Sequence, residues 1–286
     1  MRKQQTLAHK VAVEGFGFWS GRDVRLEFCP LPEGSGVRFT RVDLPGAPFI
    51  PARVEYRVPM PRQTSLANGE ARVDMIEHVM AAVYAAEIDN CDIRVDGAEM
   101  PGLDGSSQAF FSALVEGGIE TQTKTAPWRE IKQTTCLSLG QGSIDIRPCE
   151  QSQTWFGYEL QYETQSDQKH PIGSQKHALS LTRESYRDEI MNCRTFLLYT
   201  EAQYLVSKGL CQRVTPRDVL VFGDQGPVDN QLRFDNECAR HKILDMIGDF
   251  ALAGNRWLGG FFACRTGHEQ NAQAVKQLLQ TTELKS

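Results

Sequence analysis

The stretch Arg240-His241-Lys-Ile-Leu-Asp245-Met-Ile-Gly-Asp249 sets three polar residues at i, i+4 and i+8. On an α-helix that spacing puts them on one face. The remaining positions are largely apolar, and an unpaired carboxylate among apolar neighbours is costly. His241 and Asp245 are spaced to share one metal ion, as paired histidines do in H-x-x-x-H helices. An ordinary His–Asp pair on a surface stripe satisfies the same spacing, so this stretch alone leaves both readings open.

Glu77-His78 is the second group. Zinc catalysis needs three protein ligands and an open position for water, and a carboxylate beside that water can serve as general base. Adjacent helical residues point about 100° apart, so the two can line one cavity in different roles. Equally, Glu77 can complete a capping box begun by Asp74, with His78 half-buried and satisfied. His268, in Thr266-Gly267-His268, falls in a loop between a strand and a helix, where catalytic side chains are common and solvated ones commoner. His9, His170 and His177 have no comparable neighbours. Gly15-Phe-Gly17-Phe-Trp-Ser-Gly21 lacks the Lys-Ser/Thr ending of a phosphate loop, and no G-x-S-x-G elbow is present.

The elements that must position these residues follow from periodicity. Alternation predicts strands at Val11–Val13, Val24–Phe28 and Val37–Phe39. A helix is expected from an Asp74 N-cap to about Ala86, then a strand at Cys91–Val95 and a helix from about Gln108 to Val115, closed by Gly117-Gly118. The polar run Thr121–Pro127 reads as a linker. Strand-like runs resume at Ile131, Ser143–Ile146 and Trp155–Leu160. A helix over about Glu237–Ala253 stops at Gly254, and a strand (Trp257–Cys264), a loop and a last helix follow. His78 and His241 are 163 residues apart, and the same interval takes Ser106 to Glu269. The order helix, strand, loop, helix thus occurs twice, which predicts a duplicated α+β fold of two similar domains, residues 1–122 and 123–286. Each would layer a sheet against two helices, with the first helices of the pair facing each other.

Composition excludes several classes. In 286 residues, 41% are hydrophobic and 23% charged, as in ordinary globular domains rather than disordered or collagenous chains. A net charge of −5 with dispersed basic residues gives no footprint for nucleic acid. The N-terminus lacks the apolar core of a secretory signal, and no run approaches the ~20 apolar residues of a membrane span. Eight cysteines without a C-x-x-C pair read as free thiols in a reducing cytoplasm.

Five motifs occur in order: Ile76-Glu77-His78, Leu103-Asp104-Gly105-Ser106, Arg194-Thr195-Phe196, Arg240-His241-Lys242-x-x-Asp245-x-x-Gly248-Asp249 and Gly267-His268. Together they resemble the UDP-3-O-acyl-N-acetylglucosamine deacetylases (LpxC family), from Gln5 to the last helix. The resemblance implies two similar α+β domains with the metal between them, and removal of acetate from the sugar early in lipid A synthesis. It implies that His78, His241 and Asp245 hold Zn²⁺, although such N/O ligands also accept Fe²⁺. Glu77 would take a proton from the attacking water. His268, held by Asp249, would be the cationic partner of the oxyanion and the leaving amine. Thr195 would donate to the oxyanion, Phe196 would lie along the sugar, and Lys242 would meet the nucleotide phosphate.

Two departures from that pattern bear on the substrate. Trp19 stands where the family has His in its G-x-G-x-H segment, and Gln212–Arg217 replaces a glycine- and serine-rich stretch after Gly209-Leu210. They keep open a relative acting on another N-acetyl sugar, and a non-catalytic sugar-nucleotide or acyl-chain binder. Glu77 speaks against the binder, since binding alone needs no base. The partner is expected to be a small acylated UDP-sugar. Its fatty chain suggests transient contact with a membrane surface, with no basic amphipathic helix for stable anchoring; oligomeric state is unreadable.

Overall fold

Val24, Leu26 and Phe28 are buried and alternate with more exposed neighbours along the strand Asp23–Pro30, as half-buried strands do. In the computed structural model, which describes residues 2–149, 153–162 and 170–285, that strand belongs to a sheet of five. The order is Val11–Phe16, Asp23–Pro30, Cys91–Val95, Val37–Arg41, Phe49–Pro51. Only the pairing of Cys91–Val95 with Val37–Arg41 is parallel. A second sheet, of seven strands, repeats this scheme in Thr135–Leu139, Gly142–Arg147, Arg256–Cys264, Thr154–Leu160 and Gln175–Ser180, the third and fourth of these again the parallel pair. It adds Trp128–Glu130, also parallel to Arg256–Cys264, and Leu284–Lys285.

The helices complete the duplication. They are α1 (Glu77–Ala85), α2 (Gln108–Glu116), α3 (Arg183–Glu189), α4 (Tyr199–Ser207), α5 (Glu237–Ala251) and α6 (His268–Thr281). The central strand of each sheet lies in sequence between two helices, α1 and α2 or α5 and α6. The protein is therefore an α+β fold of two similar domains. Each repeat carries an insertion at the same place, between its outermost strand and its first helix. The first is a small sheet of Arg57–Val58, Ser65–Asn68 and Ala71–Asp74; the second holds α3, α4 and the strands Phe196–Leu198, Leu220–Gly223 and Gly226–Pro227.

α1 and α5 pack against each other along the centre of the molecule. All of α1 is buried, and its sequence EHVMAAVYA is rich in small side chains that let another helix approach. The closest approach is at Gly248, where a Cβ would stand 2.1 Å from the Glu77 carbonyl oxygen. At the far end of the pair, arginines meet helix C-termini: Arg256 donates to Tyr84 O and Arg53 to Ala253 O. Both place positive charge where the helix dipole is negative.

Three expectations are corrected. Asp74 does not cap α1: it ends the strand Ala71–Asp74, pairs with Ser65, and accepts a hydrogen bond from Arg72 Nε. The chain turns through Met75 at φ +59°, and Ile76 is the N-cap. The run 121–127 is mostly strand rather than linker. Ile119–Thr125, largely polar and mostly exposed, pairs antiparallel with Lys3–Leu7. His268 is the first residue of α6, not a loop residue, with Gly267 as its N-cap. Among the described residues no helix is long and apolar enough to cross a membrane.

Candidate active site between the two central helices

A cavity of about 710 Å³ opens beside the α1–α5 pair, and Glu77, His78, Thr195, Phe196, His241, Lys242, Asp245 and His268 all line it. Asp249 does not reach it and lies behind His268. Both insertions contribute walls, Met60 and Arg62 from the first and Leu205 and Val221 from the second.

His78 is the second residue of α1, while His241 and Asp245 project from one face of α5. The His78 and His241 rings meet edge to face at 5.0 Å. Asp245 Oδ1 lies 3.3 Å from His241 Nε2 and 3.7 Å from His78 Nε2. Among the described residues these three form the one group able to hold a metal ion, with donor atoms within 4.8 Å of one another. The surroundings fit a cation. His241 Nδ1 lies 3.0 Å from Cys193 O, an acceptor only, so Nδ1 carries the proton and Nε2 keeps its lone pair. Burial holds the His241 pKa down to about 4, against the pull of Asp245, so the imidazole is neutral. Burial alone would raise the Asp245 carboxyl, but the Lys242 ammonium holds it well below the usual range. Lys242 Nζ sits 2.8 Å from Asp245 Oδ2.

Glu77 and His268 face each other next to this group, His268 Nε2 lying 3.8 Å from Glu77 Oε1. Asp249 Oδ2 holds His268 Nδ1 at 2.9 Å and also accepts from Asn271. Burial disfavours the imidazolium, yet the Asp249 and Glu77 carboxylates override it and lift His268 to about 9. Burial raises the Glu77 carboxyl, with the positive charge of His268 opposing. The Glu77 carboxylate also accepts from the backbone N–H of Thr64, a residue that periodicity could not single out.

The other motifs support these groups. Gly105, at φ +76°, packs where a Cβ would come within 2.8 Å of Asp218 O and 3.0 Å of Thr195 Cγ2, and its carbonyl accepts from Thr195 N–H. Arg194 and Glu237 form a buried ion pair at 2.8 Å. That pair ties the segment carrying Cys193 and Thr195 to the turn of α5 before His241. The Phe196 ring stands edge-on to His241 at 6.2 Å. Trp19 lines the cavity, and its backbone N–H donates to Glu99. The segments that carry the two departures meet: Cys211, next to Gln212, donates its N–H to Trp19 O, and Arg213 lies over the Phe16 ring and donates to Gly21 O.

The family model described as UDP-3-O-acyl N-acetylglycosamine deacetylase matches residues 4–280. Among curated proteins called UDP-3-O-acyl-N-acetylglucosamine deacetylase, that of Chlamydia felis is 35% identical over 280 residues, covering 98% of each chain. That of Trichormus variabilis is 35% identical, covering 97% of this chain and 98% of its own. That of Geobacter sp. (strain M21) is 34% identical, covering 96% and 88%. With the match spanning almost the whole chain, the protein belongs to the UDP-3-O-acyl N-acetylglycosamine deacetylase (LpxC) family.

Proposed function

We propose that the protein hydrolyses the acetamide of a UDP-3-O-acyl-N-acetylglucosamine to the free amine and acetate, an early step of lipid A biosynthesis. The observation that carries this reading is the facing pair Glu77 and His268, set in one cavity beside His78, His241 and Asp245. His78, His241 and Asp245 would hold Zn²⁺, or Fe²⁺ in its place. When bound there, the ion supplies a Lewis acid for the acetamide carbonyl and lowers the pKa of water toward ~7.

Glu77 acts as general base, receiving the proton of the attacking water at Oε1 while Thr64 N–H holds Oε2. His268, cationic between two carboxylates, stabilises the oxyanion and then gives the leaving amine a proton from Nε2. Asp249 keeps its imidazole oriented. Thr195 donates to the oxyanion, Phe196 lies along the sugar, and Lys242 meets a phosphate of the nucleotide while it neutralises Asp245. The apolar walls near Leu205 and Val221 suit the acyl chain. Trp19 and the 212–217 segment, whose flanking residues meet, bear on which acyl-sugar fits.

The reading extends to organisation and place. The duplicated halves run over 1–122 and 123–286, and the enzyme works in the cytoplasm, a reading its eight free cysteines favour. Membrane contact is at most transient.

The test is release of free amine from UDP-3-O-acyl-N-acetylglucosamine by zinc-loaded protein, with Glu77→Ala beside it. The variant should keep its metal and lose turnover by roughly 10²–10⁴-fold, the usual contribution of a general base. A Glu77→Ala variant near wild-type activity would remove the base assignment.

A further inference from the structure

Thr64 joins the two proton-transfer groups from behind. Its backbone N–H donates to Glu77 Oε2 at 2.9 Å, and its hydroxyl donates to Asp249 Oδ1 at 2.5 Å. The opposite oxygens of the same carboxylates turn to His268, Asp249 Oδ2 at 2.9 Å from Nδ1 and Glu77 Oε1 at 3.8 Å from Nε2. Thr64, Glu77, His268 and Asp249 thus close a ring drawn from the first insertion, α1, α6 and α5. Thr64 is buried and does not line the cavity, so it touches no substrate. It is also the one member of the ring without acid–base chemistry of its own.

A carboxylate turns less freely about the bond that joins it to its side chain when its second oxygen is tied, and so presents its first oxygen to a reaction partner in a more fixed position. Thr64 ties both Oε2 of Glu77 and Oδ1 of Asp249, and its carbonyl accepts from Ile76 N–H, which fixes it against the start of α1. We propose that Thr64 is a positioning residue that sets the spacing between Glu77 and His268, its hydroxyl being the arm that acts through Asp249. The proposal rests on the reading of Glu77 and His268 as the proton-transfer pair.

Thr64→Val keeps the side-chain shape and the backbone N–H but deletes the hydroxyl; Thr64→Ser keeps the hydroxyl. Both are compared with wild type and Glu77→Ala on UDP-3-O-acyl-N-acetylglucosamine, with metal content measured. Thr64→Val should lower kcat roughly 10–100-fold, as loss of a supporting hydrogen bond does, with KM and metal content unchanged and Thr64→Ser near wild type. Independently of turnover, the His268 Nδ1–H proton resonance, assigned by its absence in His268→Ala, should move in Thr64→Val and stay in Thr64→Ser. Thr64→Ala replaces Thr64→Val if the latter does not fold. Wild-type kcat in Thr64→Val beside an inactive Glu77→Ala overturns the role of Thr64 and leaves the deacetylase reading standing. Equal losses in Val and Ser, a loss confined to KM or metal, or an unmoved resonance also overturn it. Turnover in Glu77→Ala removes the reading beneath, and the proposal with it.

Discussion

The backbone of Glu77 is in contact with Gly248: a Cβ on residue 248 would stand 2.1 Å from the Glu77 carbonyl oxygen and 3.0 Å from its Cα. The neighbour is helix backbone, which cannot swing aside. Gly248→Ala should therefore push α5 from α1 and destabilise the protein by about 1–3 kcal/mol, the usual cost of overpacking. Urea unfolding measures this directly. Turnover should fall further than stability alone explains, because the displaced atoms belong to the base itself.

Removing the Asp245 carboxylate separates two effects. Asp245→Ala takes away a donor facing both histidines and strands the part-buried Lys242 ammonium. Metal affinity should drop by more than about 100-fold, and the stranded charge should cost about 1–3 kcal/mol. Adding Lys242→Met should restore most of the stability and none of the metal. Equilibrium dialysis and urea midpoints on both variants check this, and metal retained by Asp245→Ala would rule out its role as ligand.

The pH dependence follows from His268, which faces Glu77 of α1 and Asp249 and Asp245 of α5. Burial works against its charge, but the carboxylates raise its folded value to about 9, above the ~6.5 of an unfolded histidine. In metal-free protein the stabilisation from the charged ring is full below about pH 6.5 and fades as pH rises through about 9. Urea midpoints should fall across that window. In the loaded enzyme the alkaline limb of kcat/KM should move to lower pH in Asp249→Asn, since the largest charge supporting the imidazolium is gone. A limb indifferent to Asp249→Asn would assign that titration to another group.

The duplicated fold and much of the site were legible in the sequence because their signals are periodic or chemical. His241, Asp245 and Asp249 recur every four residues, and the helix they predict is α5. The second insertion was not legible. None of the residues of α4 is buried, its apolar side chains lining the cavity instead of a core, and Phe196–Leu198 is too short to alternate. Asp74 carried the composition of a cap, yet pairing with Ser65 kept it in a strand and the turn at Met75 took its place. Thr64 gave no signal, since one of its two decisive bonds comes from backbone and the other spans 185 residues.

The Lys242 ammonium occupies Asp245 Oδ2, leaving Oδ1 as the oxygen turned toward both histidines. On the proposed ligand assignment the carboxylate would offer a cation one oxygen instead of a chelating pair. Two nitrogens and one oxygen would be a sparse set, too few donors for calcium, which seeks six to eight oxygens, and suited to an ion content with four neighbours. Lys242 would thereby narrow the choice of metal without being a ligand itself.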